Sequence, residues 1–215
     1  MEENMQINQH TVDKLIGHEL LTSWENGFIE SVSDQLKRGR SLSSNQERVV
    51  NRCIEKTTPE KIAEREEWVK EYRAKHRETA LLCARYYKEQ GYFHNMVQLL
   101  MDNEDFVPSR ENYTKMCENK YAERVLNEHY REPKYEVGKI VYVCSAAPHS
   151  HKSRFARGGI ILQANAGPIT AACKGAKKYL VLPIGEAHGH VLEERWLKSR
   201  KPRGLDTKLD DEVPF

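Results

Sequence analysis

The hydrophobic period of the chain changes at Pro133, and this change constrains the fold more than any other feature of the sequence. Before Pro133, apolar residues recur at the i, i+4 spacing of amphipathic helices, as in the series that begins with Trp24 and Phe28. After Pro133, short apolar runs alternate with Gly and Pro, which is typical of antiparallel strands. The sequence therefore predicts an α+β protein with a helical domain over residues 1–133 and a small antiparallel β-barrel over residues 134–200.

Capping signals predict where the main helices begin. Residues 22–25 (Thr-Ser-Trp-Glu) and residues 43–46 (Ser-Ser-Asn-Gln) both have the spacing of a capping box, in which a hydroxyl and a side chain three residues later satisfy free N–H groups. Pro59 after a threonine is a third start signal. Because no helix breaker follows until Gly91, residues 59–90 are predicted to form one long helix. Two more helices are predicted, over residues 92–101 and from about Ser109 to His129.

Short apolar segments with Gly or Pro between them follow Pro133. The first two predicted strands are separated by a long polar loop, residues 144–157. Five short strands at this spacing indicate either an SH3-like barrel or a five-stranded OB barrel. The predicted strands cover residues 138–143, 159–163, 169–173, 178–184 and 190–197.

The segments Val-Gly-Lys-Ile-Val-Tyr-Val, Gly-Gly-Ile-Ile-Leu, Lys-Lys-Tyr-Leu-Val-Leu-Pro and Val-Leu-Glu-Glu-Arg-Trp-Leu occur in this order over about sixty residues. This pattern resembles the SH3-like or KOW-type barrels, which open with a Gly-x-x-Val strand and close with a short segment that ends in Leu. The resemblance implies the fold of residues 134–200 and says little about function. The long loop at residues 144–157 departs from the family pattern and leaves the usual binding face in question.

Charge is distributed unevenly along the chain. Residues 134–203 hold 13 Lys and Arg against four acids, a net charge of +9, whereas residues 1–133 carry −4 and residues 204–215 carry −3. A segment at +9 is expected to attract a polyanion, so nucleic acid, including single-stranded DNA, is the predicted partner. The alternatives are a solvated basic face or an internal partner for the acidic tail. The predicted nucleic-acid-binding residues are Lys152, Arg154, Lys174, Lys177, Lys178, Lys198, Arg200 and Lys201.

Aromatic side chains lie close to these cations in the sequence. Tyr142, Phe155, Tyr179 and Trp196 would stack on bases if they were exposed. The alternative is that they belong to the core of the barrel. The charge pattern alone does not choose between these two interpretations.

The chain ends in consecutive acids, an aliphatic residue, a proline and a phenylalanine. This ending resembles the C-terminal peptide of bacterial single-stranded DNA-binding proteins, which docks onto partner proteins of DNA replication, recombination and repair. The resemblance implies that the ring of the last residue enters an apolar pocket, while its α-carboxylate meets a basic side chain. An ordinary solvated acidic terminus is the alternative. Residues 201–215 are thus predicted to be a linker and a disordered docking tail, with Asp210, Asp211, Glu212, Val213, Pro214 and Phe215 as the partner-binding residues.

Signals of catalysis are missing from the sequence. It contains no P-loop, serine elbow or HExxH motif, and its five cysteines include no CxxC pair, so no metal or cofactor is predicted. The polar N-terminus and the lack of a long apolar run predict a cytoplasmic protein without a membrane span. We expect a non-catalytic accessory factor of DNA replication, recombination or repair. A protein-interaction module that does not bind nucleic acid and an enzyme with a site assembled from distant residues remain the alternatives.

Overall fold

The computed structural model describes residues 7–201. The chain divides into two compact units, one ending at Arg73 and the other beginning at Ala74. The sequence placed the division at residue 133, where helices give way to strands. In the structure, the helices between residues 77 and 130 belong to the same unit as the sheet. Within residues 7–201, no helix is long and apolar enough to cross a membrane.

The first unit contains four helices: α1 (Gln9–Asp13), α2 (Ser23–Lys37), α3 (Ser44–Lys56) and α4 (Pro59–Glu71). Both predicted capping boxes are confirmed, one from Thr22 to Glu25 and the other from Ser43 to Gln46. In each box the hydroxyl accepts the third backbone N–H, and the side chain at that position accepts the N–H of the cap residue. The core of this unit consists of Val12, Leu15, Leu21, Ile29, Val32, Val50 and Cys53.

The helical prediction for residues 59–90 is confirmed at both ends. Helix α4 begins at Pro59, and α5 (Arg77–Gln90) ends at Gly91, which has the left-handed φ of 74° that favours glycine. Between α4 and α5, Tyr72–His76 form a π-helical turn that the sequence did not predict. A single π-helical turn spans only five residues, so the hydrophobic period of the sequence does not reveal it.

The second unit continues with α6 (His94–Asp102), α7 (Arg110–Cys117) and α8 (Lys120–Tyr130), and α5 packs against all three. The single helix predicted from Ser109 to His129 is therefore wrong, because the structure contains two. The side chain of Asn119 accepts hydrogen bonds from the backbone N–H groups of Tyr121 and Ala122 and so begins a new helix.

The sheet of the second unit has five antiparallel strands in the order β4-β3-β2-β1-β5. They are β1 (Ile140–Val143), β2 (Gly159–Ala164), β3 (Lys178–Pro183), β4 (His190–Glu193) and β5 (Leu197–Lys198). Within the described residues no ladder joins β4 to β5, so the structure shows an open five-stranded sheet and does not show the predicted closed barrel.

Three segments of this region differ from the sequence prediction. The strand predicted at residues 169–173 is irregular, and the predicted loop contains a short helix, α9 (His149–Arg154). The last predicted strand is divided into β4 and β5 by a 3₁₀ turn at Glu194–Trp196. In that turn Arg195 N donates to Gly175 O, which holds the break in place.

One face of the sheet forms a core. Alternate residues of β1, β2 and β3 point into it, because successive side chains of a strand lie on opposite faces. The loop residues Phe155 and Tyr135 complete the packing. The buried members of this core are Tyr135, Val141, Val143, Ala147, Phe155, Ile161, Tyr179, Val181, Leu192 and Leu197.

Candidate interaction surfaces

The predicted nucleic-acid-binding cations do not share one environment. Lys177 is only 2% exposed, and its Nζ donates to His129 O at 2.9 Å and to Asn165 Oδ1 at 3.0 Å. The structure therefore places Lys177 away from the exposed basic surface that the sequence predicted, because its side chain is buried and hydrogen-bonded inside the second unit. Burial, followed by the charge of Arg131, lowers the pKa of Lys177 below its ordinary value.

The other seven predicted cations lie on α9, in the turn before β3, on β3 and on β5 with the residues after it. Lys152 is exposed, whereas Arg154 is engaged with Glu186 at 3.6 Å and with His190 at 3.2 Å. Lys178 and Lys198 are half-buried on their strands. The remaining three of these seven cations are exposed; they are Lys174, Arg200 and Lys201.

The four aromatic residues are divided between the core and the surface. Phe155 and Tyr179 are buried, so neither ring is available to stack on a base. Tyr142 and Trp196 are half-buried. The ring of Trp196 lies 5.2 Å from the ring of His151 and has the guanidinium of Arg195 over it at 5.2 Å.

The face of the sheet opposite the core is aliphatic, and we call it the outer sheet face. Its rows follow from the strand register: Ile140 of β1 lies opposite Ile160 of β2, which lies opposite Leu182 of β3. In a second row, Leu180 of β3 lies opposite Val191 of β4. The outer sheet face consists of Ile140, Tyr142, Ile160, Leu162, Leu180, Leu182 and Val191.

Several of these side chains are substantially exposed. The exposed fractions are 48% for Ile140, 36% for Ile160, 43% for Leu162 and 46% for Val191. Leu162 lies at a β-bulge of β2, beside Gln163, which is the residue opposite Leu180 in the register. Leu162 is nevertheless close to Leu180, because a Cβ at Gly189 would lie 3.0 Å from Leu180 Cδ1 and 3.4 Å from Leu162 Cδ1. The aliphatic surface is therefore continuous over four strands.

Two lysines share this face. In β3, Lys178 precedes the buried Tyr179 and therefore points outward, and in β5, Lys198 follows the buried Leu197. Lys198 lies opposite Tyr142 in the register. Neither lysine forms an ion pair with any residue between 7 and 201.

The outer sheet face was not predicted from the sequence. Its signal was present as runs that are apolar at every position, Ile160-Ile161-Leu162 in β2 and Leu180-Val181-Leu182 in β3. Strands of this kind are typical of sheets that are covered on both sides. In the described structure, the core covers one side only.

An ionic network connects α8 to the sheet. Arg131 Nη2 donates to Glu128 Oε2 at 3.0 Å and to Glu194 Oε1 at 2.7 Å, and both carboxylates are buried. Glu128 also accepts from the backbone N–H of Gly175 at 3.0 Å. Because each buried carboxylate has several donors, this network has a structural explanation and does not by itself indicate catalysis.

Within residues 7–201, no group of three or more His, Cys, Asp or Glu side chains has an arrangement that would hold a metal ion. His190 contacts Glu186 at 3.1 Å, and His151 packs on Trp196, so these two histidines already have protein neighbours.

No protein-family model, curated protein or solved structure matches the chain. Its function must therefore be inferred from the surfaces described above.

Proposed function

We propose that this protein is a non-catalytic interaction module, and that its outer sheet face binds a partner protein that presents aliphatic side chains together with carboxylates. The observation that supports this proposal is the continuous aliphatic surface over four strands, in which Ile140, Ile160, Leu162 and Val191 are exposed by more than a third. Contiguous exposed apolar surface on a folded domain is typical of an interaction site.

Covering the outer sheet face would contribute free energy through apolar burial. Full burial of one aliphatic side chain contributes about 1.5–3 kcal/mol. The four most exposed side chains of the face still have roughly half of their burial free energy to gain. Covering all four would therefore contribute several kcal/mol before the cost of association. Because association itself costs about 4–15 kcal/mol, a stable complex also requires contacts from the other residues of the face and from the polar groups around it.

Two lysines on the outer sheet face indicate the chemistry of the partner. Lys178 lies opposite Glu193 in the register, but the Glu193 carboxylate pairs with Arg195. Neither Lys178 nor Lys198 forms an ion pair among residues 7–201. An approaching carboxylate would satisfy each ammonium group, whereas a basic partner would be repelled. A protein surface with aliphatic and acidic residues is therefore the occupant that matches this face.

We also propose that this protein acts beside partners in DNA replication, recombination or repair. The ending from Asp210 to Phe215 lies outside the described residues, and its resemblance to the tail of single-stranded DNA-binding proteins supports a role beside partners in DNA replication, recombination or repair. The assignment of the sheet to the SH3-like barrels is likewise proposed. The strand order β4-β3-β2-β1-β5 and the 3₁₀ turn before β5 support it.

Nucleic-acid binding is the second candidate function. It is favoured by Lys178 and Lys198, which lie with the half-buried ring of Tyr142 on one face. Ammonium groups and an accessible ring are the components of a single-strand binding surface. Fluorescence anisotropy with labelled single-stranded and double-stranded DNA at low salt tests it, and the absence of binding by either DNA would remove this candidate.

The outer sheet face is tested with the variant Ile160→Ser/Leu162→Ser. A matched control is Ile16→Ser, which removes an exposed aliphatic side chain from the first unit. Partners captured by the wild-type protein are identified by mass spectrometry, purified and titrated directly by calorimetry. We expect the double variant to weaken the Kd about tenfold or more, whereas the control retains the wild-type Kd.

A charge variant and a size measurement complete the test. Lys178→Gln/Lys198→Gln is expected to reduce the salt dependence of the same Kd, because two ionic contacts are removed. Equal affinity of wild type and the serine double variant for every purified partner would contradict the proposal. Light scattering that shows a wild-type dimer and a monomeric serine variant would assign the face to a second copy of the chain and would also contradict it.

A further inference from the structure

A cavity of about 300 Å³ lies in the second unit between α5, α8 and the loop that connects β2 to β3. It shares no lining residue with the outer sheet face. Its volume is at the lower end of the range for small-molecule sites. The cavity has an apolar part, formed by Leu82, Val125, Pro168 and Ile169, and a polar part.

Every ionisable side chain that lines the polar part is basic. These side chains are Arg85 of α5, His129 of α8 and Lys177. Among the residues that the structure describes, no carboxylate lines the cavity. Arg85 is exposed and forms no ion pair within residues 7–201, so its charge is available to a ligand.

Lys177 is held rigidly at the cavity wall. Its Nζ donates to His129 O and to Asn165 Oδ1, and both of these residues also line the cavity. An ammonium group has three N–H donors, so the described protein acceptors leave one of them for a ligand. Side-chain rotamers of a residue that is 2% exposed are fixed by packing, and the donor is therefore preorganised.

The neighbouring carboxylates are already engaged. Glu128 and Glu194 share Arg131, and Glu128 accepts from Gly175 N, while Glu194 accepts from Tyr179. Three carboxylates, those of Glu128, Glu194 and Glu132, and the guanidinium of Arg131 act on Lys177. Arg85 is not part of this group, forms no ion pair within residues 7–201 and adds a positive charge to the cavity lining.

We propose that this cavity binds a small organic anion, with its acid group at Arg85 and Lys177 and its apolar body against Leu82, Val125 and Ile169. Charge-assisted hydrogen bonds from the two cations would hold the acid group. The aliphatic wall would take a body of about one ring. Carboxylates and phosphates share this chemistry, and the probes below distinguish them.

The test uses the full chain and four probes: benzoate, phenyl phosphate, inorganic phosphate and the neutral benzyl alcohol. Binding is measured by calorimetry at concentrations up to about 10 mM. We expect saturable binding of at least one of the two organic acids with a stoichiometry of one. The tighter of the two identifies the acid group. We expect benzyl alcohol and inorganic phosphate to bind about tenfold more weakly, because each lacks one half of the recognition.

Variants connect binding to the cavity. Arg85→Gln removes the guanidinium that is proposed to contact the acid group, at an exposed position, and Leu82→Phe fills the apolar part while keeping every cation. We expect each to weaken the organic acid about tenfold. The control Arg124→Gln changes an exposed cation of α8 that does not line the cavity and should bind as wild type does.

Three results would overturn the proposal: no saturable binding of either organic acid, equal affinities of wild type and Arg85→Gln for the tighter organic acid, or inorganic phosphate binding as tightly as that acid. Circular dichroism of each variant verifies that it folds. None of these measurements involves a protein partner or DNA, so their failure would leave the proposed function of the outer sheet face untouched.

Discussion

The hydroxyl of Tyr179 donates a hydrogen bond to Glu194 Oε2 at 2.9 Å, and both side chains are buried. The same hydroxyl accepts the backbone N–H of Tyr135 at 3.3 Å. One phenol therefore connects the inner face of β3 to the 3₁₀ turn after β4 and to the chain that leads into β1. Burial, and the neighbouring Glu194 carboxylate, raise the pKa of Tyr179 to about 12.

Replacement of this phenol is expected to destabilise the second unit. In Tyr179→Phe the Tyr135 N–H loses its acceptor, and Glu194 Oε2 retains the backbone N–H of Lys134 at 3.2 Å. The expected loss in the free energy of unfolding is about 1–3 kcal/mol, measured by urea denaturation. Tyr142→Phe is the matched control, since Tyr142 is only half-buried, and its change should stay within about 0.5 kcal/mol. Equal stabilities of the two variants would contradict this role.

The raised pKa of Tyr179 predicts a dependence of stability on alkaline pH. Its ordinary pKa is 10.0, and the folded value is about 12. Because the folded pKa is the higher one, the protonated phenol contributes its full stability below pH 10, and this contribution is lost as the pH rises to about 12. The wild-type unfolding free energy should fall more steeply than that of Tyr179→Phe across this window. Parallel curves for the two proteins would show that another group dominates the alkaline transition.

Replacement of Arg131 is expected to destabilise the second unit, because its guanidinium is shared by two buried carboxylates. In Arg131→Met, Glu128 and Glu194 lose the guanidinium that they share, while Lys177 remains as a cation that interacts with both carboxylates. We expect a loss of about 2–4 kcal/mol; a third of the Arg131 side chain is exposed, which moderates the effect. Chemical denaturation measures this loss against Arg124→Met, which changes an exposed arginine of α8, the helix that ends just before Arg131. A loss below that of the control would mean that the network contributes no net stability.

Two glycines are expected to respond to alanine in opposite directions. Gly175 has a φ of 79°, and a Cβ there would lie 2.9 Å from Arg195 Cβ and 3.0 Å from Arg195 N. Gly175→Ala should therefore destabilise the protein by about 2 kcal/mol or more, because both the backbone conformation and the 3₁₀ turn must shift.

Gly27 is the matched control for Gly175. It lies inside α2, and nothing described lies within 4 Å of a Cβ built on it. Gly27→Ala is expected to stabilise the first unit by about 0.5–1 kcal/mol through helix propensity. Thermal melts of both variants measure these changes in stability, and stability changes of the same sign in the two variants would refute the prediction.

The five cysteines should divide into two classes of reactivity. Cys53, Cys83 and Cys117 are buried, whereas Cys144 and Cys173 are half-exposed, and all five are free thiols. Burial also raises the pKa of Cys53, which disfavours its reactive thiolate. A thiol reagent is expected to modify two groups quickly in the native protein and all five in denaturant. In Cys173→Ser the fast count should fall to one, and a larger fast count in wild type would contradict the described burial.

Local signals in the sequence determined much of the secondary structure. The capping boxes at Thr22 and Ser43, the start at Pro59 and the left-handed end at Gly91 depend on a few neighbouring residues, so they can be read without the fold. The change from helices to strands at Pro133 is of the same kind, because it follows from the hydrophobic period. The break at Asn119 was missed because apolar periodicity continues across it, although an N-cap begins there.

The sequence by itself determined that residues 134–203 carry a net charge of +9, and tertiary structure decided where those charges lie. Lys177 and Lys178 are adjacent and chemically identical. Lys177 is nevertheless buried and hydrogen-bonded to His129 O, whereas Lys178 points to the outer sheet face. Alternation along a strand dictates only that two neighbours point in opposite directions. Which direction becomes the interior depends on what packs there. Tyr135, Val141 and Ile161 pack with the inner residues of β3, and His129 of α8 accepts from Lys177 just before the strand, and all of these residues lie elsewhere in the sequence.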